Sequence, residues 1–211
     1  VAILQKYTIN VPEPVRAHLA SAAGETPLPE DDRLAGNEFH MIATPQISLV
    51  AAAEFAKSKN VIPIILGDSI EGEAREVAIV MAGIARQVAR HHQPAPPPCV
   101  LLSGGETTVT VKGCGRGGRN AEFLLSFVNE LKGCPGIYGL ACDTDGIDGS
   151  QDNAGAYCGP ETYHRAQEKA LDFAAHLNSN DGYGFFEALQ GLIFTGPTRT
   201  NVNDFRAVLI E

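Results

Sequence analysis

The sequence predicts an α/β domain built on a mixed, mostly parallel sheet with flanking helices. Short apolar runs of strand length, VIPIIL, CVLLS and IYGLAC, recur between longer stretches of helical character. Their continuous apolarity is that of strands buried on both faces, as in parallel sheets. One stretch, TTVTVK, alternates instead in period two, with Val109 and Val111 on one face and Thr108, Thr110 and Lys112 on the other. That pattern marks a half-exposed strand antiparallel to its neighbour, which makes the sheet mixed.

Taken in order, residues 1–36 read as a tail or linker. VAILQKY and VPEPVRAHLAS suit two short helices, and GETPLPEDDRLAG is an exposed connector rich in Pro, Gly and acids. The chain opens without Met and already in helical character, which gives the expectation of a longer polypeptide. Residues 37–97 form an α/β segment. FHMIA is a short strand; Thr44 and Pro45 are an N-cap and first helical residue for QISLVAAAEFAKSK. VIPIIL is a strand, and the helix after GDSIEGEA has Glu71, Glu73 and Glu76 near its start and Arg86, Arg90, His91 and His92 near its end, matching the helix dipole. QPAPPP is a stiff connector. Residues 98–211 continue with CVLLS and TTVTVK as strands, RNAEFLLSFVNELK as a helix, and IYGLAC as a strand. PETYHRAQEKALDFAAHL and DGYGFFEALQ are further helices, and DFRAVLIE is the last strand.

Composition excludes several classes. The 211 residues carry a net charge of −9 and no Lys/Arg run, so nucleic acid is repelled rather than bound. No apolar run is long enough to span a membrane, and none has the form of a leader. The five cysteines, at irregular spacing and without a CxxC, suit reduced thiols in a cytoplasmic protein rather than a zinc site.

Four constellations carry chemistry. Ser103-Gly104-Gly105-Glu106-Thr107 follows a buried strand, where α/β ligand crevices lie; alone it serves equally as a tight turn. Gly113-Cys114-Gly115-Arg116-Gly117-Gly118-Arg119-Asn120 precedes a helix, whose free N–H groups and two arginines would receive an anion. It also matches GxGxxG through Gly113, Gly115 and Gly118, but after an alternating strand and with Arg116 intruding, so the dinucleotide reading is weak. Asp143, Asp145, Asp148 and Asp152 crowd ten residues past the next strand, and such carboxylates call for Mg²⁺ or base chemistry. The loop Thr195–Asp204 gathers hydroxyls, amides and one carboxylate, and suits an Asx/ST turn as well as a contact surface.

The words GDSIEGEAREVA, LLSGGETTVTVKG, GRGGRNAEF, DTDGIDG, DNAGA, NDGYGFF and TGPTRTNVND, in this order, resemble the class II glycerate 2-kinases, whose C-terminal part is the MOFRL domain. Some members of that family are labelled hydroxypyruvate reductase from their place in tartrate degradation. The resemblance implies the second lobe of a two-lobe cytoplasmic enzyme that phosphorylates D-glycerate at O2 with ATP and Mg²⁺. Its partners would be a missing N-terminal lobe and a small hydroxy acid, and a homodimer stays open. It carries the important arginine to Arg119, with Arg116 second. Asp143, Asp145 and Asp148 become catalytic candidates, and Asp143, Asp148 and Glu106 metal candidates. Ser103, Gly104, Gly105, Glu106, Thr107, Gly117, Gly118, Asn120, Thr198, Asn201 and Asn203 are candidate substrate or nucleotide contacts. Family members commonly have Gln at the place of Ala121 and Gly at the place of Arg199, which leaves the shape of the last loop open. An NAD(P)H-dependent reductase and a non-catalytic ligand-binding domain are the alternatives.

Overall fold

Thr44 and Pro45 open a helix as their chemistry dictates. The Thr44 hydroxyl accepts from the Ile47 N–H, and α3 runs from Pro45 to Ser58. In the computed structural model, which describes residues 1–211, α3 begins the larger of two units, Ile42–Glu211. The smaller unit, Val1–Met41, contains α1 (Ala2–Lys6), α2 (Glu13–Leu19) and two 3₁₀ turns, and buries no residue of its helices. FHMIA forms no strand: Phe39 and Ile42 are exposed, and the division between the units falls within it.

The larger unit continues with β1 (Ile62–Gly67), β2 (Gly72–Glu73), α4 (Ala74–His91), β3 (Cys99–Gly105), β4 (Thr107–Thr108) and α5 (Arg119–Leu131). There follow β5 (Ile137–Asp143), β6 (Gly155–Cys158), α6 (Glu161–Glu168), α7 (Phe173–Ser179), α8 (Gly182–Ala188), β7 (Leu192–Ile193) and β8 (Asp204–Ile210). Six strands form a mixed sheet in the order β1-β3-β8-β5-β6-β7. β1, β3, β5 and β7 run one way, β8 and β6 the other, so most strands share a direction. Within this sheet only β1 and β3 are hydrogen-bonded in parallel, and β8 inserts antiparallel between β3 and β5. β2 and β4 form a separate parallel pair, so the TTVTVK strand is not antiparallel to its neighbour as its alternation suggests. The β1–β3 pairing joins residues 37–97 and 98–211 in one sheet.

Helices cover the sheet unequally. α4 and α5 lie on one face over a core that includes Phe123, Leu124, Phe127, Val208 and Ile210. α3 covers the β1–β3 side of the other face through Leu49, Ala53 and Ala56 against Val100 and Leu102. β3, central, is buried along its whole length. VIPIIL is not buried on both faces as its apolarity suggests: β1 is an edge strand, which is also where Pro63 costs no ladder bond. In β5 burial alternates and Tyr138 is exposed, because no helix covers that end of the outer face.

Two further sequence expectations are corrected, and two strands are added. TTVTVK is a strand only at Thr107 and Thr108; beyond them Glu73 accepts from Thr110 and Asn180 from Lys112 and Gly113, so side chains replace a ladder partner. PETYHRAQEKALDFAAHL splits into α6 and α7 at Ala170, whose φ is 53°, and Asp172 caps the second helix through the N–H groups of Ala174 and Ala175. The short β6 and β7, hidden in turn-rich sequence, complete the sheet.

Candidate active site

Strand register builds the site. β8 lies between β3 and β5, with Asp204 opposite Gly105 on one side and Asp143 on the other. Alternation along β8 sends Asp204, Arg206, Val208 and Ile210 to the buried side and leaves Phe205, Ala207 and Leu209 half-buried. The carboxyl ends of β3 and β5 therefore meet the first residue of β8, and the first residue of α5, Arg119, reaches the same place.

Arg119 is held by three carboxylates. Its Nε donates to Asp204 Oδ1 at 2.6 Å, Nη2 to Asp143 Oδ2 at 2.7 Å, and Nη1 to Glu106 Oε1 at 3.4 Å. Burial opposes its charge, but Asp204, Asp143 and Glu106 outweigh burial and raise its pKa above the usual arginine value. Burial pushes Asp143 up to about 6, against the Asp145 N–H and Arg119, while Asp145 and Asp204 add to the rise. Asp204 is fully buried and takes five hydrogen bonds. Oδ1 accepts from Arg119 and the Asn120 amide; Oδ2 accepts from the Thr107 N–H, the Thr107 hydroxyl and Arg206. From the sequence alone Asp204 is one carboxylate in a turn, and Arg206 is not among the candidates. Their spacing of two on a strand was the available signal.

The glycine-rich loop differs from its expected role. The α5 N–H groups of Asn120 and Ala121 donate to Asp148, at 2.9 and 2.8 Å, so they are not free for a ligand. Gly118, the N-cap residue, has no side chain to cap the helix, and Asp148 supplies that cap from another loop. It is fully buried; burial pushes its carboxyl up, against the N–H groups of Asn120 and Ala121 and the Asn120 amide. This position suits a structural cap, not a base or metal ligand open to a substrate. The glycines admit protein backbone: a Cβ at Gly113 would lie 2.4 Å from Ser179 Cα, and one at Gly118 2.4 Å from Asp148. Arg116 turns away from Arg119, donating to Glu187 at 2.7 Å with its guanidinium 4.5 Å from the Tyr183 ring.

The remaining candidates divide between two cavities. One of 610 Å³ is lined by Glu106, Thr107, Gly117, Gly118, Arg119 and Asn180. Another of 530 Å³ is lined by Asp143 and Thr198 together with Cys142, Thr144 and Phe205. The Arg119–Asp143 pair thus joins residues of both. Ser103, Gly104 and Gly105 are buried, and Gly105 makes room for the Ile70 backbone. Asn120 is buried between Asp148 and Asp204. Thr198 Oγ1 donates to Thr144 O, Thr144 donates to Asn203 O, and Asn201 accepts from the Asn203 N–H, so this loop is stitched to the aspartate turn. Asp145 accepts from the Ile147 N–H within that turn. Glu122 and Asn180, not singled out from sequence, close the cavity wall: Asn180 donates to Glu122, and Glu122 pairs with Arg75 at 2.6 Å. The carboxylates do not fit a Mg²⁺ cage built by this chain. Asp148 is spent on α5, and no three His, Cys, Asp or Glu side chains converge on one point.

Fold and site together define an α/β domain with an arginine–carboxylate centre at its strand ends. The MOFRL family model matches residues 99–204, and the chain belongs to the MOFRL family. It is 35% identical over 212 residues to a glycerate 2-kinase of Pyrococcus horikoshii, covering 99% of this chain and 48% of that protein. It is 48% identical over 211 residues to a protein of Agrobacterium vitis named "Putative hydroxypyruvate reductase", covering 99% and 47%. The crystal structure of a glycerate kinase from Thermotoga maritima superposes with a TM-score of 0.87 at 37% identity, over 100% of this chain and 49% of that one. The chain spans about half the length of the curated relatives it matches. No helix is long and apolar enough to cross a membrane.

Proposed function

We propose that this chain forms one wall of a glycerate 2-kinase active site, in which D-glycerate is phosphorylated at O2 by ATP to give 2-phosphoglycerate. The observation that carries the reading is Arg119, held rigidly between Asp204 and Asp143 with one nitrogen turned toward Glu106 and the 610 Å³ cavity. Relatives and a structural neighbour named as glycerate kinases support it. The other wall comes from the part of those relatives that this chain does not cover.

Phosphoryl transfer is governed by positioning and charge neutralisation. The Arg119 fork receives the carboxylate of the acid or the equatorial oxygens of the moving phosphoryl group. Asp143, with its carboxyl pushed up to about 6, is poised near neutrality to take the O2 proton as O2 bonds to the γ-phosphorus and the bond to the β-phosphate oxygen breaks. Mg²⁺ carried in with a nucleoside triphosphate would supply charge neutralisation, and no residue of this chain is assigned to hold it. Replacing Arg119 by Ala in the full-length protein should lower kcat/KM for D-glycerate by about 10²–10³-fold. Wild-type kcat/KM in that variant would remove Arg119 from the reaction.

The name of the Agrobacterium vitis relative favours a second reading, reduction of hydroxypyruvate. The glycines of the GxGxxG match argue against it: Gly113 and Gly118 are packed on protein backbone, and Asp148 occupies the α5 N-terminus where a pyrophosphate would sit. ADP release with glycerate against loss of NADH absorbance with hydroxypyruvate separates the two. Binding of both ligands without turnover would favour a non-catalytic domain.

A further inference from the structure

Arg206 is the largest fully buried side chain in the protein. It stands two residues after Asp204 on β8, on the same face of the strand. Its Nη2 donates to Asp204 Oδ2 and, at 2.7 Å, to Thr107 Oγ1. Nε and Nη1 have no hydrogen-bond partner, and the guanidinium lies 5.1 Å from the Phe123 ring. Burial works against its charge and draws its pKa below the usual arginine value. A buried ion pair with two unmade hydrogen bonds is a poor source of stability; an apolar side chain of similar volume is commonly as good or better. The residue therefore calls for a role other than stability.

Resting on the kinase reading above, we propose that Arg206 is a positioning residue that acts on Arg119 through Asp204. The geometry gives the route. Arg206 occupies an acceptor site of the Thr107 hydroxyl, so that hydroxyl gives its proton to Asp204. Oδ2 of Asp204 is then fully engaged by Arg206 and Thr107, and Oδ1 is aimed at Arg119 Nε and the Asn120 amide. With the carboxylate locked on both sides, the Arg119 guanidinium is fixed about its Nε, and its outer nitrogens face Asp143 and Glu106 in one orientation. Arg206 also balances charge. Without it, the buried carboxylate of Asp204 would have Arg119 as its single cationic partner.

The test reads Arg119 itself, in the full-length protein. The Nε–H resonance of Arg119, assigned by its disappearance in Arg119→Lys, should be dispersed and slow to exchange in the wild type. In Arg206→Met it should move to the position of a free arginine and exchange at least about tenfold faster, with Arg206→Lys intermediate. In kinase assays Arg206→Met should lower kcat more than it raises KM. Its effect on kcat/KM should shrink to less than about threefold in an Arg119→Ala background, because residues acting as one unit are not additive. If Arg206→Met does not fold, Arg206→Lys and the isosteric Asp204→Asn decide by the same resonance. An unchanged Arg119 signal in any folded variant, or losses that multiply in the double variant, would overturn the proposal. A wild-type protein without phosphoryl transfer would remove the kinase reading, while the resonance would still decide whether Arg206 orients Arg119.

Discussion

At the scale of single residues, Asp143 shows how burial and pairing compete. Its carboxylate touches Arg119 at 2.7 Å, which alone would lower its pKa, yet burial and the neighbouring Asp145 and Asp204 raise it to about 6. A carboxyl raised on folding binds its proton more tightly in the native state. Its contribution to stability is complete below the unfolded value near 3.8 and is lost as pH rises through about 6. Asp143→Asn does not titrate. Urea unfolding at pH 4.5 and 7.5 should therefore show the variant's stability relative to wild type improving by roughly 1–3 kcal/mol at the higher pH. The opposite sign would show that Arg119 dominates and that Asp143 is an ordinary ion-pair carboxylate. The cysteines need no catalytic role: burial pushes Cys142 and Cys158 up to about 12, which keeps them as thiols.

At the scale of elements, the α5 N-terminus was legible as a site for negative charge, but not as one already filled. Composition shows glycines, arginines and a following helix; it does not show that Asp148 lies on the same N–H groups. The glycines separate by what surrounds them. Gly83 lies exposed in the middle of α4 with nothing within 4 Å of an added Cβ. Gly83→Ala should stabilise the protein by about 0.5–1 kcal/mol through helix propensity. Gly118→Ala places a Cβ 2.4 Å from Asp148, so it should cost at least about 2 kcal/mol and loosen the α5 cap. Thermal unfolding of the two variants should move in opposite directions. No loss of stability in Gly118→Ala would mean that the loop yields and that Asp148 is not held where it caps α5.

At the scale of the whole molecule, the sheet carries two kinds of surface. α4 and α5 close one face, while the other is covered by α3 only over β1 and β3. The second cavity opens on that face, between residues of β5 and β8 and the Thr195–Val202 loop. The domain holds Arg119 and Asp143 in place, and the chain spans about half the length of its relatives; on the proposed function it supplies one side of a cleft. Expressed alone, the 211 residues should unfold cooperatively yet produce no 2-phosphoglycerate from D-glycerate and ATP above background. Robust turnover would show that Arg119, Asp143 and their neighbours suffice without a second wall.

The sequence by itself determined the α/β class, the principal helices, the strands VIPIIL, CVLLS, IYGLAC and DFRAVLIE, and the family. These rest on local periodicity, capping chemistry and ordered motifs, all of which are written along the chain. The family resemblance singled out Arg119, with Arg116 second, and the crowding of acids past a buried strand singled out Asp143 along with Asp145 and Asp148. Only the tertiary structure decided what those groups touch. Insertion of β8 between β3 and β5 sets Asp204 beside Asp143, makes it the common partner of Thr107, Asn120, Arg119 and Arg206, and leaves Asp148 to α5. The physical reason is that strand order and register are non-local. They are set by which apolar faces can be buried together, and residues as far apart as Thr107 and Arg206 become neighbours only once the sheet has formed.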